Sequence, residues 1–329
     1  MKILVIVNLM WFIYGCSSME QRTIQTTVGK ETVIPGAIWL SHEHILVDFI
    51  GADSIRPAEW NRDSIVNTML RYLKELKEFQ VTYFVDATPQ YLGRDALLLS
   101  RLSELEGLHI LTNTGYYGAR KNRYLPEKIK KLSSEEIAGL WIDEVKYGID
   151  GSDLKPGFIK IGVDNASPLD TIHQKIVDAA ALTHIETGLP IASHTGQAKA
   201  LWPQLHILKE RNVAPQHFIW VHAQNENELS NYLKAAEIGC WISLDGIGWG
   251  WEKYVDKLVY AKENGILNHI LISHDAGWFD PQKPVQNIQP YTTIFKQLIP
   301  ELKARGFEDS DINLLLSVNP SKAYSIKTN

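Results

Sequence analysis

Two histidines separated by one glutamate follow an apolar run near the start of the chain. The string Ser41-His42-Glu43-His44 comes directly after residues 37–40, which read Ala-Ile-Trp-Leu. Alternate side chains of a β-strand share a face, so His42 and His44 point one way, while Glu43 points the other way and belongs to the outer packing. Two imidazoles about 6–7 Å apart on one strand face can bind one metal ion. The pair therefore indicates metal chemistry, provided that other segments supply further ligands.

Other apolar runs are interrupted or ended by ionisable side chains. Lys160 stands inside the run 158–161, which reads Phe-Ile-Lys-Ile, and the burial of its ammonium group is costly. Three further candidate ligands end such runs: His194, His222 and Asp275. His274 precedes Asp275, so we expect it to face away from them and to be structural. Asp245 ends another run and either supports a ligand or faces a substrate.

Eight apolar runs of strand length alternate with amphipathic helical segments. The predicted strands are 37–47, 81–88, 108–117, 158–163, 190–195, 218–222, 239–247 and 270–275, and the helical segments include 64–80, 134–147, 169–187, 226–237 and 252–264. This alternation is the signature of an α/β fold, the (β/α)₈ TIM barrel. A doubly wound open sheet would need a glycine-rich turn after its first strand, where this chain has His-Glu-His. Barrel enzymes place their sites at the carboxyl ends of the strands, so the six candidate ligands should converge.

Lys160 has two functional interpretations and one structural one. Its amine could lose a proton and form a Schiff base with a substrate, as in aldolase-type barrels. It could instead take up carbon dioxide and become a carbamate, an anion able to bridge two cations. In the structural interpretation, the lysine side chain extends to the surface, where its ammonium group stays charged without either reaction. The histidines and the aspartate at neighbouring strand ends favour the carbamate.

The composition limits the classes of partner. The chain has 329 residues, is 45% hydrophobic and carries a formal charge of −5, which describes a globular protein without a basic stripe. Nucleic acid is therefore not expected as a partner. The candidate ligands, rather than the composition, predict a small-molecule substrate. Residues 32–320 contain no linker or internal repeat, so residues 32–329 are interpreted as a single barrel domain.

Residues 1–18 differ in kind from the rest. A short basic start precedes an apolar stretch of about twelve residues, too few to span a bilayer but typical of a signal peptide. The string Ile13-Tyr14-Gly15-Cys16 resembles a bacterial lipobox. We expect a cleaved leader, a lipid anchor on Cys16, a polar tether over residues 19–31, and a location in the periplasm or on the outer surface. Cleavage without lipidation and a buried N-terminal element are the alternatives.

The candidate ligands, with their order and local sequence, resemble those of the phosphotriesterase family of the amidohydrolase superfamily. Matching context includes Ser193-His194-Thr195 and Ser273-His274-Asp275-Ala276, and the resemblance runs from about residue 30 to Asn319-Pro320. It implies a binuclear hydrolase. One metal ion would be held by His42, His44 and Asp275, and a second by His194 and His222, with a carbamate on Lys160 and a hydroxide between them.

Imidazole and carboxylate donors suit zinc, with manganese, cobalt and iron as alternatives, better than calcium or magnesium. Asp275 would orient the hydroxide and accept its proton as general base. We expect attack on an ester-like bond, with a lactone or carboxylic ester favoured and a phosphotriester as a side activity. Members of the family are often dimers, so analogy suggests a homodimer.

Loops after the predicted strands suggest how a substrate is held. Four aromatic residues are predicted to line its pocket: Tyr117, which matches a tyrosine of family lactonases, and Trp249, Trp251 and Trp278. Arg120, Lys121 and Arg123 either hold an anionic group or form a solvated loop. The chain departs from the family after His222, where the usual aspartates are absent, and at Gly246, which is expected to open space.

Two rival functions remain open at this point. A Schiff-base lyase that uses Lys160 would be indifferent to chelators. A ligand-binding lipoprotein would keep the barrel without turnover, although it would have no use for a complete set of metal ligands.

Overall fold

The structure, a computed structural model, describes residues 21–327. An antiparallel hairpin, β1 (Thr23–Thr26) and β2 (Gly29–Thr32), precedes the barrel. The barrel strand segments are β3 (Ile38–Leu46), β4 (Val81–Asp86), β5 (His109–Leu111), β6 (Asn113–Thr114), β7 (Phe158–Gly162), β8 (Ile191–His194), β9 (Phe218–Val221), β10 (Trp241–Leu244), β11 (Ile270–Ile272) and β12 (Gly277–Phe279). The α-helices are α1 (Arg62–Glu75), α2 (Ala96–Glu106), α3 (Glu127–Lys130), α4 (Ser134–Tyr147), α5 (Thr171–Thr187), α6 (Ala198–Glu210), α7 (Ser230–Glu237), α8 (Glu252–Glu263), α9 (Ile299–Ala304), α10 (Asp309–Asn313) and α11 (Asn319–Ala323).

The strand segments form a closed parallel (β/α)₈ barrel, which confirms the predicted fold. The third barrel strand is divided into β5, which pairs with β4, and β6, which pairs with β7. The eighth is divided into β11, which pairs with β10, and β12, which pairs with β3. Parallel pairing of the remaining neighbours completes the circle. The two interrupted strands therefore join the ladders into one barrel.

The observed strands are shorter than the predicted runs at their carboxyl ends. The third ends at Thr114 rather than 117, and the seventh spans only Trp241–Leu244. Residues that end the predicted runs but lie beyond the observed strands, such as Tyr117, His222 and Asp275, line the barrel mouth. The predicted helix 226–237 begins only at Ser230, because the Glu226 carboxylate accepts a hydrogen bond from the backbone N–H of Glu228, 2.7 Å away, and holds that segment as a loop.

Helix boundaries follow from local chemistry. A capping box of Ser133 and Glu136 begins α4. The Asp170 side chain accepts a hydrogen bond from the N–H of His173 at the start of α5, and Gly188 ends that helix at φ 72°. The apolar faces of these helices pack on the outer surface of the barrel.

The seam between the first and eighth barrel strands depends on Glu43, which lies fully buried in the layer outside the barrel. Its carboxylate accepts hydrogen bonds from Ser273 Oγ (2.7 Å), from the N–H and Nδ1–H of His274 (2.9 and 2.7 Å), and from the N–H of Ala276 (3.0 Å). His274 is buried and faces away from the barrel mouth, as predicted. The prediction that Glu43 belongs to outer packing was incomplete, because its position also binds the strand that carries Asp275.

Part of the predicted tether is folded, and that prediction was wrong for residues 23–31. They lie in the β1–β2 hairpin, which hydrogen-bonds the barrel through Thr27 N–H and Ile110 O (2.8 Å). Ile24 is fully buried in a cluster that includes Trp39 and Tyr83. The composition of this segment is polar because one face of the hairpin meets water, while the other covers the barrel.

The predicted leader, with Cys16, lies outside the described residues. Among residues 21–327, no helix is long and apolar enough to cross a membrane. The lipid anchor, the extracytoplasmic location and the homodimer therefore stay predictions from the sequence.

Replacement Glu43→Gln should lower the free energy of unfolding by about 2–3 kcal/mol, because its amide N–H₂ would face the buried N–H of Ala276 instead of accepting from it. Urea denaturation followed by tryptophan fluorescence measures this change. The exposed Glu59→Gln is the matched control and should stay within about 0.5 kcal/mol of the parent protein. Equal midpoints for the two variants would show that the seam does not depend on this carboxylate.

Candidate metal centre

The barrel mouth brings the six predicted ligands to one cavity. Two come from β3, one from the middle of β7, one from the end of β8, one from the residue after β9, and one from the link between β11 and β12. All of them line a cavity of about 790 Å³: His42, His44, Lys160, His194, His222 and Asp275. Parallel strands of a closed barrel present their carboxyl ends on one side, which explains the convergence of residues far apart in sequence.

His42, His44 and Asp275 form the tightest group. One ligand atom of each lies within 4.8 Å of the others. The Nε2 atom of His44 is 3.1 Å from Oδ1 of Asp275, and Nε2 of His42 is 3.8 Å from the same oxygen. Two imidazole nitrogens and one carboxylate oxygen at these separations can hold a single divalent cation.

His194 and His222 stand beside this group. Their ring centroids are 4.4 Å apart, and the His222 ring is 5.3 Å from that of His42. Lys160 is only 2% exposed, and its Nζ lies 5.6 Å from the ring centroid of Tyr117. The lysine thus occupies the cavity floor that the two histidine groups share.

Burial favours the neutral forms of His42, His194 and Lys160 on the cavity floor. Burial lowers the pKa of His42 well below its usual value, and burial together with the neighbouring His222 does the same for His194. Burial also lowers the pKa of Lys160 to about 8, against the opposing effect of Asp275. Neutral imidazoles are the form that binds metal, and a neutral amine is the form that reacts with carbon dioxide.

Asp245 fixes the orientation of His222 through two hydrogen bonds. Its carboxylate accepts hydrogen bonds from the ring Nδ1–H (2.6 Å) and the backbone N–H (3.1 Å) of His222. Burial alone would lower the pKa of His222, but Asp245 outweighs it and raises that pKa. His222 has a left-handed backbone with φ 60°, a strained conformation that this double contact stabilises. The contact leaves Nε2 of His222 free to face the cavity.

Two other ligands have comparable partners. Nδ1 of His44 lies 2.7 Å from the hydroxyl of Thr88, and each ring nitrogen of His194 lies 3.1 Å from the hydroxyl of Tyr117. His42 differs, because both of its buried ring nitrogens lack a hydrogen-bond partner among the described residues. An unsatisfied, fully buried imidazole beside a carboxylate is costly unless a further group binds it. The donor set therefore fits divalent metal ions.

Comparison with known proteins identifies the family of this arrangement. The sequence profile described as the phosphotriesterase family matches residues 22–324.

The chain belongs to the phosphotriesterase family.

Individual relatives cover nearly the whole barrel. The chain is 28% identical to the phosphotriesterase homology protein of Escherichia coli (strain K12), over 88% of this chain and 98% of that protein. It is 30% identical to an aryldialkylphosphatase of Saccharolobus solfataricus, over 91% and 98%. A crystal structure of the Escherichia coli phosphotriesterase homology protein, complexed with phosphate in its active site, superimposes with a TM-score of 0.75 at 26% identity, over 89% of this chain and all of that one.

Three of the four aromatic residues that were predicted to line the substrate pocket do so. Tyr117, Trp249 and Trp278 line the cavity. The indole N–H of Trp249 donates to the backbone carbonyl of Asp275 at 2.7 Å, and its ring centroid lies 5.6 Å from that of Trp278. Trp251 does not line the cavity, so that prediction was wrong. It directly precedes α8, which turns its side chain against the hydrophobic core.

The space expected beside Gly246 is occupied. A Cβ atom at that position would collide with the hydroxyl of Tyr254 and with the side-chain amide of Gln224 at 2.9 Å. Gln224 also donates a hydrogen bond to Asp245 at 3.1 Å. Both side chains line the cavity, and sequence reasoning missed them, because only the fold shows that α8 leans over this glycine.

Replacement Asp245→Asn should weaken metal binding about 10- to 100-fold, because the amide no longer fixes the proton on Nδ1 of His222. Competition for zinc between the protein and a chromophoric chelator measures this affinity without any assay of turnover. The exposed Asp256→Asn is the control and should retain the parent affinity. Parent-like zinc affinity in Asp245→Asn would contradict the assigned role of Asp245.

Proposed function

We propose that this member of the phosphotriesterase family is a binuclear metal-dependent hydrolase that cleaves an ester-like bond of a small molecule. Lactones and carboxylic esters are favoured, and phosphotriesters are a side activity. The observation that carries the proposal is the convergence of four histidines, one aspartate and a buried lysine on one cavity. The unpartnered ring nitrogens of His42 support it, because the one lone pair of the neutral imidazole would be satisfied by a cation.

The residues divide between two cation sites. His42, His44 and Asp275 would hold one ion, and His194 with His222 the other. Lys160, as a neutral amine, would add carbon dioxide, release a proton and become an anionic carbamate shared by both sites. Zinc is the expected metal, with manganese, cobalt or iron suited to the same donors. Such a pair of ions, when bound, acidifies a water molecule and polarises the substrate oxygen.

The protein's own side chains complete the site. Asp275 is held ionised, since the hydrogen bond to His44 and the nearby histidines outweigh burial and lower its pKa, so it can accept a proton. Trp249 lies beside Asp275, because its indole N–H donates a hydrogen bond to the Asp275 carbonyl. Together with Trp278 it provides an apolar wall that orients a substrate and limits access of water.

The choice of bond rests on chemistry and on the spread of named relatives. The chain is similar to the aryldialkylphosphatase named above. It is also similar to an N-acetyltaurine hydrolase of Homo sapiens, at 23% identity over 74% of this chain. Their names describe different bonds, so membership of the family alone leaves the bond open. We favour lactones and carboxylic esters because phosphotriesters are rare natural metabolites.

A Schiff-base lyase is the second candidate, because the low pKa of Lys160 would also suit an amine nucleophile. The four histidines that line the cavity with Lys160 have no role in Schiff-base chemistry. Borohydride would trap the substrate on Lys160 in a lyase and would have no effect on a hydrolase.

The test joins metal analysis with a panel of a lactone, an aryl ester and a phosphotriester. We expect about two metal ions per chain, hydrolysis of at least one panel member, and loss of activity with a chelator. Lys160→Ala should lose metal and at least about 10²-fold in activity, whereas the exposed Lys199→Ala should keep both. A folded protein that binds no metal, or a chelator-resistant activity that borohydride inactivates, would overturn the hydrolase proposal.

A further inference from the structure

The mouth of the cavity carries five cationic side chains above the candidate ligands. Three lie in the loop after the third barrel strand, and two lie on α8 after the seventh. We call them the cationic rim: Arg120, Lys121, Arg123, Lys253 and Lys257. Only the first three could be suspected from the sequence, because the approach of α8 to the mouth is a property of the fold.

The rim cations lack salt-bridge partners in the described part of the chain. Among the residues lining the cavity, the single carboxylate is that of Asp275, which belongs to the candidate metal ligands. Within residues 21–327, no carboxylate oxygen lies within the 4.0 Å of a salt bridge from any rim cation. The whole chain carries a formal charge of −5, so this cationic mouth reverses the sign of the protein's overall charge.

The loop holds Arg120 and Lys121 at the mouth with a fixed backbone. Both have left-handed conformations, at φ 61° and φ 58°, which side chains other than glycine seldom adopt. Asp164 stabilises them by accepting hydrogen bonds from the N–H of Arg120 (2.7 Å) and of Lys121 (3.1 Å). Its carboxylate is thus used by the backbone, and the side-chain charges of the two residues stay unpaired. Strained backbone of this kind clusters at binding sites.

On the opposite side of the mouth, α8 carries the two lysines of the rim. Nζ of Lys257 donates to the backbone carbonyl of Glu226 at 2.9 Å, and this contact leaves its further donors free. Lys253 stands one helical turn earlier on α8 and is exposed. The Glu226 carboxylate itself is used by backbone N–H groups of Ala198 and Glu228, so it does not pair with Lys257.

We propose that the substrate is an anion, with a carboxylate, sulfonate or phosphate group that lies away from the cleaved bond and binds the cationic rim. This inference rests on the proposed hydrolase function, and it names the substrate class of that same site. The metal ligands would bind the reacting group at the cavity floor, and the rim would bind the anionic end. Charge-assisted hydrogen bonds from Arg and Lys to an oxyanion are strong enough to decide between an anionic and an uncharged ester.

The test compares esters of matched shape. The anionic member is the 4-nitrophenyl monoester of glutaric acid, and the uncharged member is 4-nitrophenyl 5-oxohexanoate, in which a methyl ketone replaces the carboxylate. Sulfonate and phosphonate analogues of the first ester identify the anion preferred. The parent enzyme should favour an anionic ester at least about tenfold in kcat/KM. Raising NaCl from about 0.05 M to about 0.5 M should reduce that preference, because exposed charges are screened.

Two double variants assign the preference to the rim. Arg120→Gln with Lys121→Gln, and Lys253→Gln with Lys257→Gln, should each lower the ratio of kcat/KM for the anionic over the uncharged ester by about tenfold. Lys128→Gln with Lys131→Gln changes the net charge equally on exposed residues that do not line the cavity, and it should leave the ratio as in the parent. A ratio near one in the parent, or an equal fall in the control, would overturn the inference.

A binding measurement separates this inference from the hydrolase proposal. Calorimetric titration of the metal-loaded protein with two primary amides of matched shape, glutaramate and the uncharged 5-oxohexanamide, reports the anionic end without ester cleavage. Tighter binding of glutaramate that is lost in the rim variants supports the inference even if neither ester is cleaved. Equal binding of the two amides overturns it, even where the metal-dependent cleavage of both esters supports the hydrolase.

Discussion

The carboxylate of Glu43 is the fully buried group on which the geometry of the mouth depends. It accepts hydrogen bonds from Ser273, His274 and Ala276 around the break in the eighth barrel strand, and it sits between the two histidines of the first strand. The N–H of Asp275 meets the carbonyl of His42 at 3.1 Å across the same seam. The backbone segments that close the barrel at this seam therefore also position His42 and Asp275, two of the candidate metal ligands.

A second constraint is the burial of Lys160 among imidazoles. Burial in this low-dielectric floor lowers the pKa values of His42, His194 and Lys160, whereas Asp245 raises the pKa of His222. Buried imidazoles without hydrogen-bond partners are costly. Asp245 and Asp275 provide partners for some of the ring nitrogens, but those of His42 lack one among the described residues, and a cation would satisfy the lone pair of that ring. The floor thus suits metal ions, whereas the cationic rim above it, which forms no salt bridge within residues 21–327, suits an anion. One cavity contains two regions with opposite requirements.

Much of the fold and of the floor could be predicted from the sequence. The eight strands were recognisable because buried parallel strands are nearly continuous apolar runs, and the ligands stood out because they are polar residues at the ends of those runs. The hairpin at residues 23–32 was missed because a short two-sided strand pair looks like a polar linker. Trp251 was misplaced because a loop tryptophan shows no preference between pocket and core until the following helix fixes its direction.

By itself, the sequence determined the fold class, the family and the six candidate ligands, since each depends on residue type and order along the chain. Only the tertiary structure decided which residues support these ligands and which residues line the mouth of the cavity. Asp245 proved to hold His222, Tyr254 and Gln224 proved to fill the space at Gly246, and α8 brought Lys253 and Lys257 opposite Arg120 and Lys121. These relations join residues from separate barrel units, and their distances are set by how helices and loops pack around the mouth. Local periodicity carries no information about that packing.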